Sequence, residues 1–319
     1  MPEVTPDDVA TMLDGGPGLW LAPGHAPPLG DDIGAVLETS GSTGVPKHIP
    51  LTREQLHTAA AATTEHFGWS ATWHLALPSH YVAGFMVLVR GVLGDGVRRA
   101  SPDLADLAPG PGRNVVSIVP TQLVRALDGR TRLAEFDAVL VGGAPLADDV
   151  RSRAERAGIR VVETYGMSET CGGVVYDGVP LPGVDVRLVD GRIKLAGPMV
   201  SGGRFLTADR GEWRDGRLTV LGRVDDVVIT GGLKADLAVV RRAAQALDPD
   251  SWVLAVDDDE WGRRIVLFAG SGTLDAWRER LAATLPRHAL PRQLVVADRL
   301  PRTAGGKPDR ESLIGLLGT

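Results

Sequence analysis

The chain has 319 residues, 44% of them hydrophobic and 23% charged, and this length predicts about two domains with sizeable cores. Its net charge of −6 argues against a nucleic-acid binder that needs a broad positive field, and its most apolar stretch, 81–89, falls far short of the ~18 residues of a membrane helix. The single cysteine, Cys171, excludes an intramolecular disulfide, and the acidic N-terminal segment is unlike a secretion signal, so we expect a globular cytoplasmic protein.

Apolar runs typical of strands alternate with helical patterns from Ile33 to Thr164. Thr52 and Gln55 have the spacing of a capping box, which predicts a helix start at that point. The alternation predicts parallel strands joined by crossover helices. The expected strands are 33–39, 74–78, 114–119, 137–143 and 159–164, and the expected helices are 52–67, 82–93, 120–128 and 146–157.

The pattern changes after Tyr165. Two Asp-Gly pairs, at 190–191 and 215–216, each lie between alternating apolar runs and predict β-hairpins. The remaining chain returns to mixed strands and helices. We therefore predict an α/β protein: a large N-terminal α/β domain followed by a β-rich section, and a small α+β C-terminal domain.

A loop rich in glycine and hydroxyl groups, 39–47, follows the first of these strands. Backbone N–H groups of such a loop can point inward around an anion, and Lys47 adds a positive charge. Pro46 precedes this lysine and His48 follows it, so the loop is not a Walker A motif. The pattern indicates a phosphate-binding loop, with a flexible linker as the alternative.

A second segment, 163–170, ends the strand expected at 159–164. Tyr165 offers a ring for stacking on a base, Ser168 a hydroxyl, and Glu169 an oxygen ligand for Mg²⁺. Ligands of open parallel sheets bind at the carboxyl ends of strands, which favours a functional role for this segment and for the glycines at 142–143. The alternative is that Glu169 is an ordinary solvated carboxylate.

Two further segments lie closer to the C-terminus. Asp209, followed by the run 222–226, offers a carboxylate to ribose hydroxyls, with a surface salt bridge as the alternative. Lys307 lies in the glycine-rich run 301–308, where a mobile cation can enter and leave a site. A disordered basic tail is the alternative for this last run.

In this order, the four segments resemble those of the adenylate-forming superfamily of acyl-CoA synthetases, adenylation domains and luciferases. The resemblance implies an N-terminal domain over 1–222, a hinge at 223–226 and a mobile C-terminal domain over 227–319. The subdomain that usually precedes the phosphate loop is much shortened here, and a second subunit is one way to shield that flank. A homodimer is therefore an expectation.

The resemblance also implies ATP, Mg²⁺ and coenzyme A, with a carboxylate first adenylated and then transferred to a thiol. It assigns the nucleotide to Thr39, Ser40, Gly41, Ser42, Thr43, Gly44, Lys47, Gly142, Gly143, Ala144, Tyr165, Gly166, Asp209 and Arg223. It assigns catalysis to Ser168, Glu169 (also the Mg²⁺ ligand) and Lys307, the hinge to Asp225, and the thiol side to Gly231, Gly232 and Lys234.

Within the superfamily, segments 117–127, 139–146 and 165–184 are most similar to the actinobacterial 2-succinylbenzoate–CoA ligases of menaquinone biosynthesis. This likeness implies 2-succinylbenzoate as the substrate. We expect the acyl pocket at His80, Tyr81, Thr121 and Gly172. Core packing is the alternative for each of these four. A ligase for another aromatic or short acid, and an adenylation module that loads a carrier protein, are the alternative functions.

Overall fold

The computed structural model describes residues 3–39, 47–129, 131–302 and 308–318. The described chain divides into two compact units. The first takes its residues from 1–189, 193–207 and 213–219, and the second from 190–192, 208–212 and 220–319. In the described part of the chain, every helix is too short or too polar to cross a membrane.

The helices expected at 52–67, 82–93, 120–128 and 146–157 are confirmed to within two residues at each end, and the helix near the N-terminus was not predicted. The helices are α1 (Pro6–Leu13), α2 (Arg53–Phe67), α3 (Val82–Val92), α4 (Pro120–Asp128), α5 (Asp148–Arg156), α6 (Leu237–Gln245), α7 (Leu274–Leu281) and α8 (Arg310–Gly315). The capping box is confirmed at the start of α2, where the Gln55 N–H donates to Thr52 Oγ1 at 3.1 Å and the Thr52 N–H donates to Gln55 Oε1 at 2.8 Å.

The strands fall into five sheets among the described residues. In the N-terminal half they are β1 (Leu19–Leu21), β2 (Ile33–Thr39), β3 (Lys47–Thr52), β4 (Thr72–Leu75), β5 (Val97–Arg99), β6 (Asn114–Ile118), β7 (Ala138–Gly142), β8 (Val161–Met167), β9 (Gly172–Tyr176) and β10 (Val179–Pro180). They continue as β11 (Asp185–Val189), β12 (Arg192–Ala196), β13 (Arg204–Arg214), β14 (Arg217–Arg223), β15 (Val227–Thr230), β16 (Leu233–Asp236), β17 (Trp252–Asp258), β18 (Gly262–Ala269) and β19 (Gln293–Val296).

The main sheet of the first unit has the strand order β10-β9-β8-β7-β6-β4-β5. Its strands β4 to β8 are parallel, as the alternation of elements predicts, and β9 and β10 are antiparallel additions. From β4 the chain moves outward to β5 and then returns to the other side of β4 as β6. Right-handed crossovers then require α3 on one face of the sheet and α4 and α5 on the other. The strand order therefore reverses between β4 and β6, and a ligand crevice is expected at their carboxyl ends.

The expectation that strand 33–39 starts the parallel series is wrong. This strand, β2, lies in a separate three-stranded sheet, parallel to β1 and antiparallel to β3. The segment 39–47 therefore joins two antiparallel strands, with Thr39 and Lys47 as partners across the pair. Strand β3 was not predicted because it contains Pro50, and proline is accepted in an edge strand but not in a central one.

The two predicted hairpins are confirmed. Asp190 and Gly191 have φ values of 51° and 74°, and Asp215 and Gly216 have 47° and 73°, as a type I′ turn requires. They join β11 to β12 and β13 to β14 in one four-stranded sheet. The later strands form the pair β15-β16 and the sheet β17-β18-β19, whose buried side chains pack with those of α6 and α7.

Candidate active site

The loops after β4, β5 and β6 are tied together by the buried side chain of Gln122. Its Nε2 donates to Ala76 O at 3.0 Å and to Pro102 O at 2.8 Å, while its Oε1 accepts the Val119 N–H at 2.9 Å. Each of these backbone groups comes from a different loop at the carboxyl edge of the sheet. Gln122 is thus a structural brace, and it holds the half-buried Thr121 at the crevice.

His80 and Tyr81 lie in the loop between β4 and α3, with ring centroids 4.3 Å apart. Burial lowers the pKa of His80, which leaves its imidazole uncharged at neutral pH. Burial also raises the pKa of Tyr81, and the negative charge of Glu38 contributes to this shift. Since Glu38 is near the end of β2, the start of the predicted phosphate loop lies within electrostatic range of Tyr81.

The loop after β7 exposes Gly143 and Ala144 to solvent. A Cβ on Gly142 would lie 2.3 Å from Thr164 Oγ1, so only glycine permits this approach of β7 to β8. Gly143 has a φ of 84°, which turns the chain away from the sheet directly after the strand. The backbone of this loop is therefore accessible to a planar ligand next to β8.

Strand β8 ends in a tight turn that leads into β9. A Cβ on Gly166 would lie 1.9 Å from Gly172 O, and the register between the two strands shifts at this point. The buried Thr170 closes the turn, because its hydroxyl accepts the Met167 N–H at 2.9 Å and donates to Gly172 O at 2.7 Å. The half-buried Tyr165 is thereby held at the carboxyl end of the sheet.

The 3₁₀ turn Ser168–Thr170 carries the predicted Ser168 and Glu169. Ser168 is buried and Glu169 is half-buried. Strand β3 packs against this turn, so the exposed Lys47 belongs to a strand that contacts the second motif. The fold therefore brings strand β3, which begins at Lys47, next to the turn 168–170, and Ser40, Gly41, Ser42, Thr43 and Gly44 lie outside the described residues.

Gly172 lies under helix α3. The position of its Cβ would be 3.6 Å from Met86 Cγ and 3.8 Å from Val82 Cγ2, so it borders a packed apolar wall. Cys171 beside it is buried, and this burial raises the pKa of its thiol to about 12. The thiol is therefore protonated at neutral pH.

Arg90, on α3, is a residue that the sequence reasoning missed. It is 6% exposed, its Nε donates to Thr63 Oγ1 at 3.1 Å, and its guanidinium carbon lies 5.3 Å from the centroid of the Trp73 ring. Nη2 is buried without a hydrogen-bond partner, and no carboxylate among the described residues pairs with this arginine. Arg90 lies one helical turn beyond Met86, on the same face of α3. The one feature of the sequence that could have indicated Arg90 is its position as a charged residue directly after the most apolar stretch, 81–89.

In the second unit, Asp209, Arg223 and Asp225 form one cluster. Arg223 Nε and Nη2 donate to Asp225 Oδ1 and Oδ2 at 2.8 and 2.9 Å, and Arg223 Nη1 lies 3.6 Å from Asp209 Oδ1. The hydrogen bond to Asp225 raises the pKa of Arg223. These contacts are the surface salt bridge that the sequence analysis gave as the alternative for this segment. They also keep the Arg223 guanidinium beside the Asp209 carboxylate.

Gly231, Gly232 and Lys234 are exposed in the hairpin of β15 and β16. The Gly231 N–H donates to Trp261 O at 2.9 Å, which fixes the tip of the hairpin within its unit. Lys307 lies outside the described residues.

Comparison with known proteins places most of the chain in a family. The profile of the AMP-binding enzyme family, described as "AMP-binding enzyme", matches residues 4–206. The chain belongs to this family. The chain is 40% identical to the probable 2-succinylbenzoate–CoA ligase of Mycobacterium tuberculosis, over 89% of this chain and 84% of that protein.

Solved structures support the same placement. A variant of Escherichia coli MenE with bound OSB-AMS is 26% identical and superposes with a TM-score of 0.77, covering 93% of this chain and 71% of that one. ATP-bound MatB from Rhodopseudomonas palustris is 25% identical with a TM-score of 0.74, covering 92% and 69%. The predicted fold class is confirmed by these neighbours.

Proposed function

We propose that this protein is an AMP-forming acid–CoA ligase of menaquinone biosynthesis. It converts 2-succinylbenzoate, ATP and coenzyme A into 2-succinylbenzoyl-CoA, AMP and pyrophosphate. The observation that carries this function is the 40% identity to a probable 2-succinylbenzoate–CoA ligase, which extends over 89% of the chain. An oxygen of the acid attacks the α-phosphorus of ATP and pyrophosphate leaves. The thiol sulfur then attacks the acyl carbon, its proton is released, and AMP leaves.

The nucleotide is assigned to the carboxyl edge of the main sheet. Gly142, Gly143 and Ala144 are proposed to flank the adenine, because Gly142 brings β7 close to β8 and the exposed Gly143 and Ala144 follow at the carboxyl end of the strand. Tyr165, with Gly166 after it, stacks on the base. Thr39 and Lys47 lie at the ends of the loop, and its residues Ser40–Gly44 are proposed to bind the triphosphate. Asp209 binds the ribose hydroxyls, with Arg223 beside it.

Glu169 would hold Mg²⁺, and Ser168 would contact a phosphate oxygen. Among the described residues, no three His, Cys, Asp or Glu side chains are grouped closely enough to cage a metal ion. The single half-exposed carboxylate of Glu169 is compatible with Mg²⁺, because this ion is commonly held by one or two carboxylates together with substrate phosphates and water. When bound, the ion neutralises phosphate charge. The chain's own part is to orient the phosphates through the backbone of the loop and the Ser168 hydroxyl.

Arg90 is assigned to the acid. 2-Succinylbenzoate carries two carboxylates, and one of them stays charged when the other is activated. A carboxylate that enters a buried pocket must be paired, and a buried guanidinium without a carboxylate partner supplies that pairing. His80, Tyr81, Thr121 and Gly172 border the same crevice edge and are proposed as its outer lining. Met86 then separates this lining from Arg90.

Lys307 is proposed as the cation for the first half-reaction. Negative charge builds up on the pentavalent phosphoryl group, and a cation placed there stabilises the transition state more than the ground state. Asp225 is proposed as the hinge, and the hairpin with Gly231, Gly232 and Lys234 as the face that meets the thiol. A cytoplasmic location, where ATP and coenzyme A are supplied, and a homodimer belong to the same proposal.

The deciding experiment measures pyrophosphate release by the purified protein with ATP and a panel of carboxylic acids, followed by thioester formation on addition of coenzyme A. We expect 2-succinylbenzoate to give the highest kcat/KM and the thioester to accumulate. Release with a different acid and none with 2-succinylbenzoate would reject the assigned substrate. Thioester formation on a carrier protein but not on coenzyme A would reject the assigned acceptor.

A further inference from the structure

Three carboxylates from three elements of the first unit surround Arg151, on helix α5. Its Nη2 lies 2.9 Å from Asp177 Oδ1, its Nε 3.2 Å from Glu155 Oε1, and its Nη1 3.6 Å from Glu163 Oε2. Asp177 follows β9, Glu155 lies one turn further along α5, and Glu163 is in the middle of β8. A planar guanidinium fork can meet several carboxylates at once, whereas a lysine ammonium is a point charge. The residue type thus suits the geometry.

Asp177 is fixed to β8 independently of the arginine. Its Oδ1 accepts the Glu163 N–H at 3.1 Å, and its own N–H donates to Glu163 O at 2.8 Å. Arg151 therefore takes its position from a carboxylate that the backbone of β8 already holds. The Arg151 guanidinium is thereby held 3.6 Å from the Glu163 carboxylate.

Arg151 also fixes the loop after β7, because that loop leads into α5. At the far end of the loop, the ion pair between Arg151 and Asp177 ties α5 to β8. At the near end, Gly142 is paired with Thr164 in the sheet. By strand alternation, Glu163 and Tyr165 lie on the same face of β8. Both ends of the loop 143–146 are thus attached to the strand that carries the proposed stacking tyrosine.

We propose that Arg151 is a positioning residue for the nucleotide base: through Asp177 it ties α5 to β8, and it thereby holds the loop 143–146 at the distance from β8 that a purine ring requires. This inference rests on the proposed function and adds to it a residue that does not touch the nucleotide. Without Arg151, the Asp177 and Glu163 carboxylates lose the guanidinium that α5 contributes. The start of α5, and with it the end of the loop 143–146, is then no longer tied to β8 by an ion pair.

The test replaces Arg151 by methionine and uses Arg153→Met as a matched control. Arg153 lies on the same helix and pairs with Asp128 at 2.5 Å, away from the loop after β7. We expect Arg151→Met to weaken AMP binding, measured by calorimetry, about tenfold, which is the loss expected for a charged hydrogen bond. KM for ATP should rise by a similar factor, while KM for the acid stays within about twofold. Arg151→Lys should lie between wild type and Arg151→Met.

Unchanged AMP affinity in a folded Arg151→Met protein would overturn the inference, as would an equal loss in Arg153→Met or an equal rise in KM for the acid. If Arg151→Met does not fold, Arg151→Lys and Asp177→Asn carry the test through the same calorimetry. AMP binding requires no acid, so the outcome is independent of substrate identity. Absence of pyrophosphate release by the wild type would reject the proposed function while leaving the calorimetric comparison of the variants valid.

Discussion

Replacement of Arg90 by methionine should change stability and substrate binding in opposite directions. In the free protein, Nη2 is buried without a partner, and such a group costs roughly 1–3 kcal/mol. Methionine removes this cost and loses the Nε hydrogen bond to Thr63, whose hydroxyl keeps its bond to Ala59 O at 3.0 Å. We therefore expect the melting temperature of Arg90→Met to equal or exceed that of the wild type.

The same change should weaken binding of the acid. Loss of charge-assisted hydrogen bonds to a buried carboxylate costs about 1.5–3 kcal/mol, which corresponds to a rise of about 10- to 100-fold in KM for 2-succinylbenzoate. The assay follows pyrophosphate release at saturating ATP over a range of acid concentrations. KM for ATP should not change, because the residue lies on α3 and not on the loops assigned to the nucleotide.

Two comparisons make this prediction specific. Arg113→Met is a matched control, since Arg113 also lies over a tryptophan, 5.6 Å from the Trp69 ring, but its side chain is 58% exposed. A monocarboxylic analogue of the acid should be used equally well by wild type and Arg90→Met, because it lacks the group that Arg90 pairs with. An unchanged KM for 2-succinylbenzoate together with a lowered melting temperature would show that Arg90 is a packing residue and refute the assignment.

Two further predictions concern the proposed catalytic lysine and the buried cysteine. Lys307→Ala should abolish adenylate formation and keep thioester formation from supplied acyl-adenylate, with Lys194→Ala as the control; equal losses in both half-reactions would contradict the assigned role. Cys171 should resist alkylation in the native protein, because burial raises its pKa from 9.0 to about 12. The folded state then holds the thiol proton more tightly than the unfolded state, so this contribution to the free energy of unfolding is complete below about pH 9 and declines as the pH rises toward 12. A Cys171→Ala protein should show a shallower decline in urea titrations over this range; an identical slope would contradict the shift.

Local patterns in the sequence were sufficient for most of the elements and for the chemistry. The helices at 82–92 and 120–128 and the two Asp-Gly hairpins follow from periodicity, capping and turn preferences, which depend on neighbouring residues only. Tyr165, Ser168 and Glu169 were assigned to the nucleotide site from their residue types and from the order of the motifs, and this assignment stays a prediction. Pairing partners were harder to predict, since β2 is apolar enough for either sheet and β3 is a polar edge strand.

Only the tertiary structure reveals the two arginines that we propose for substrate binding and for positioning of the base. Arg90, Thr63 and Tyr176 come from three separate elements, and the burial that leaves Nη2 without a partner exists only when α2, α3 and β9 pack together. Arg151 likewise meets Asp177 and Glu163 only because β8 and β9 pair and α5 covers them. Desolvation and ion pairing depend on distances between residues far apart in the chain. The spacing of motifs in the sequence does not determine those distances. The reaction class could therefore be predicted from the sequence. Arg90, proposed to select the acid, and Arg151, proposed to position the base, could be identified only from the fold.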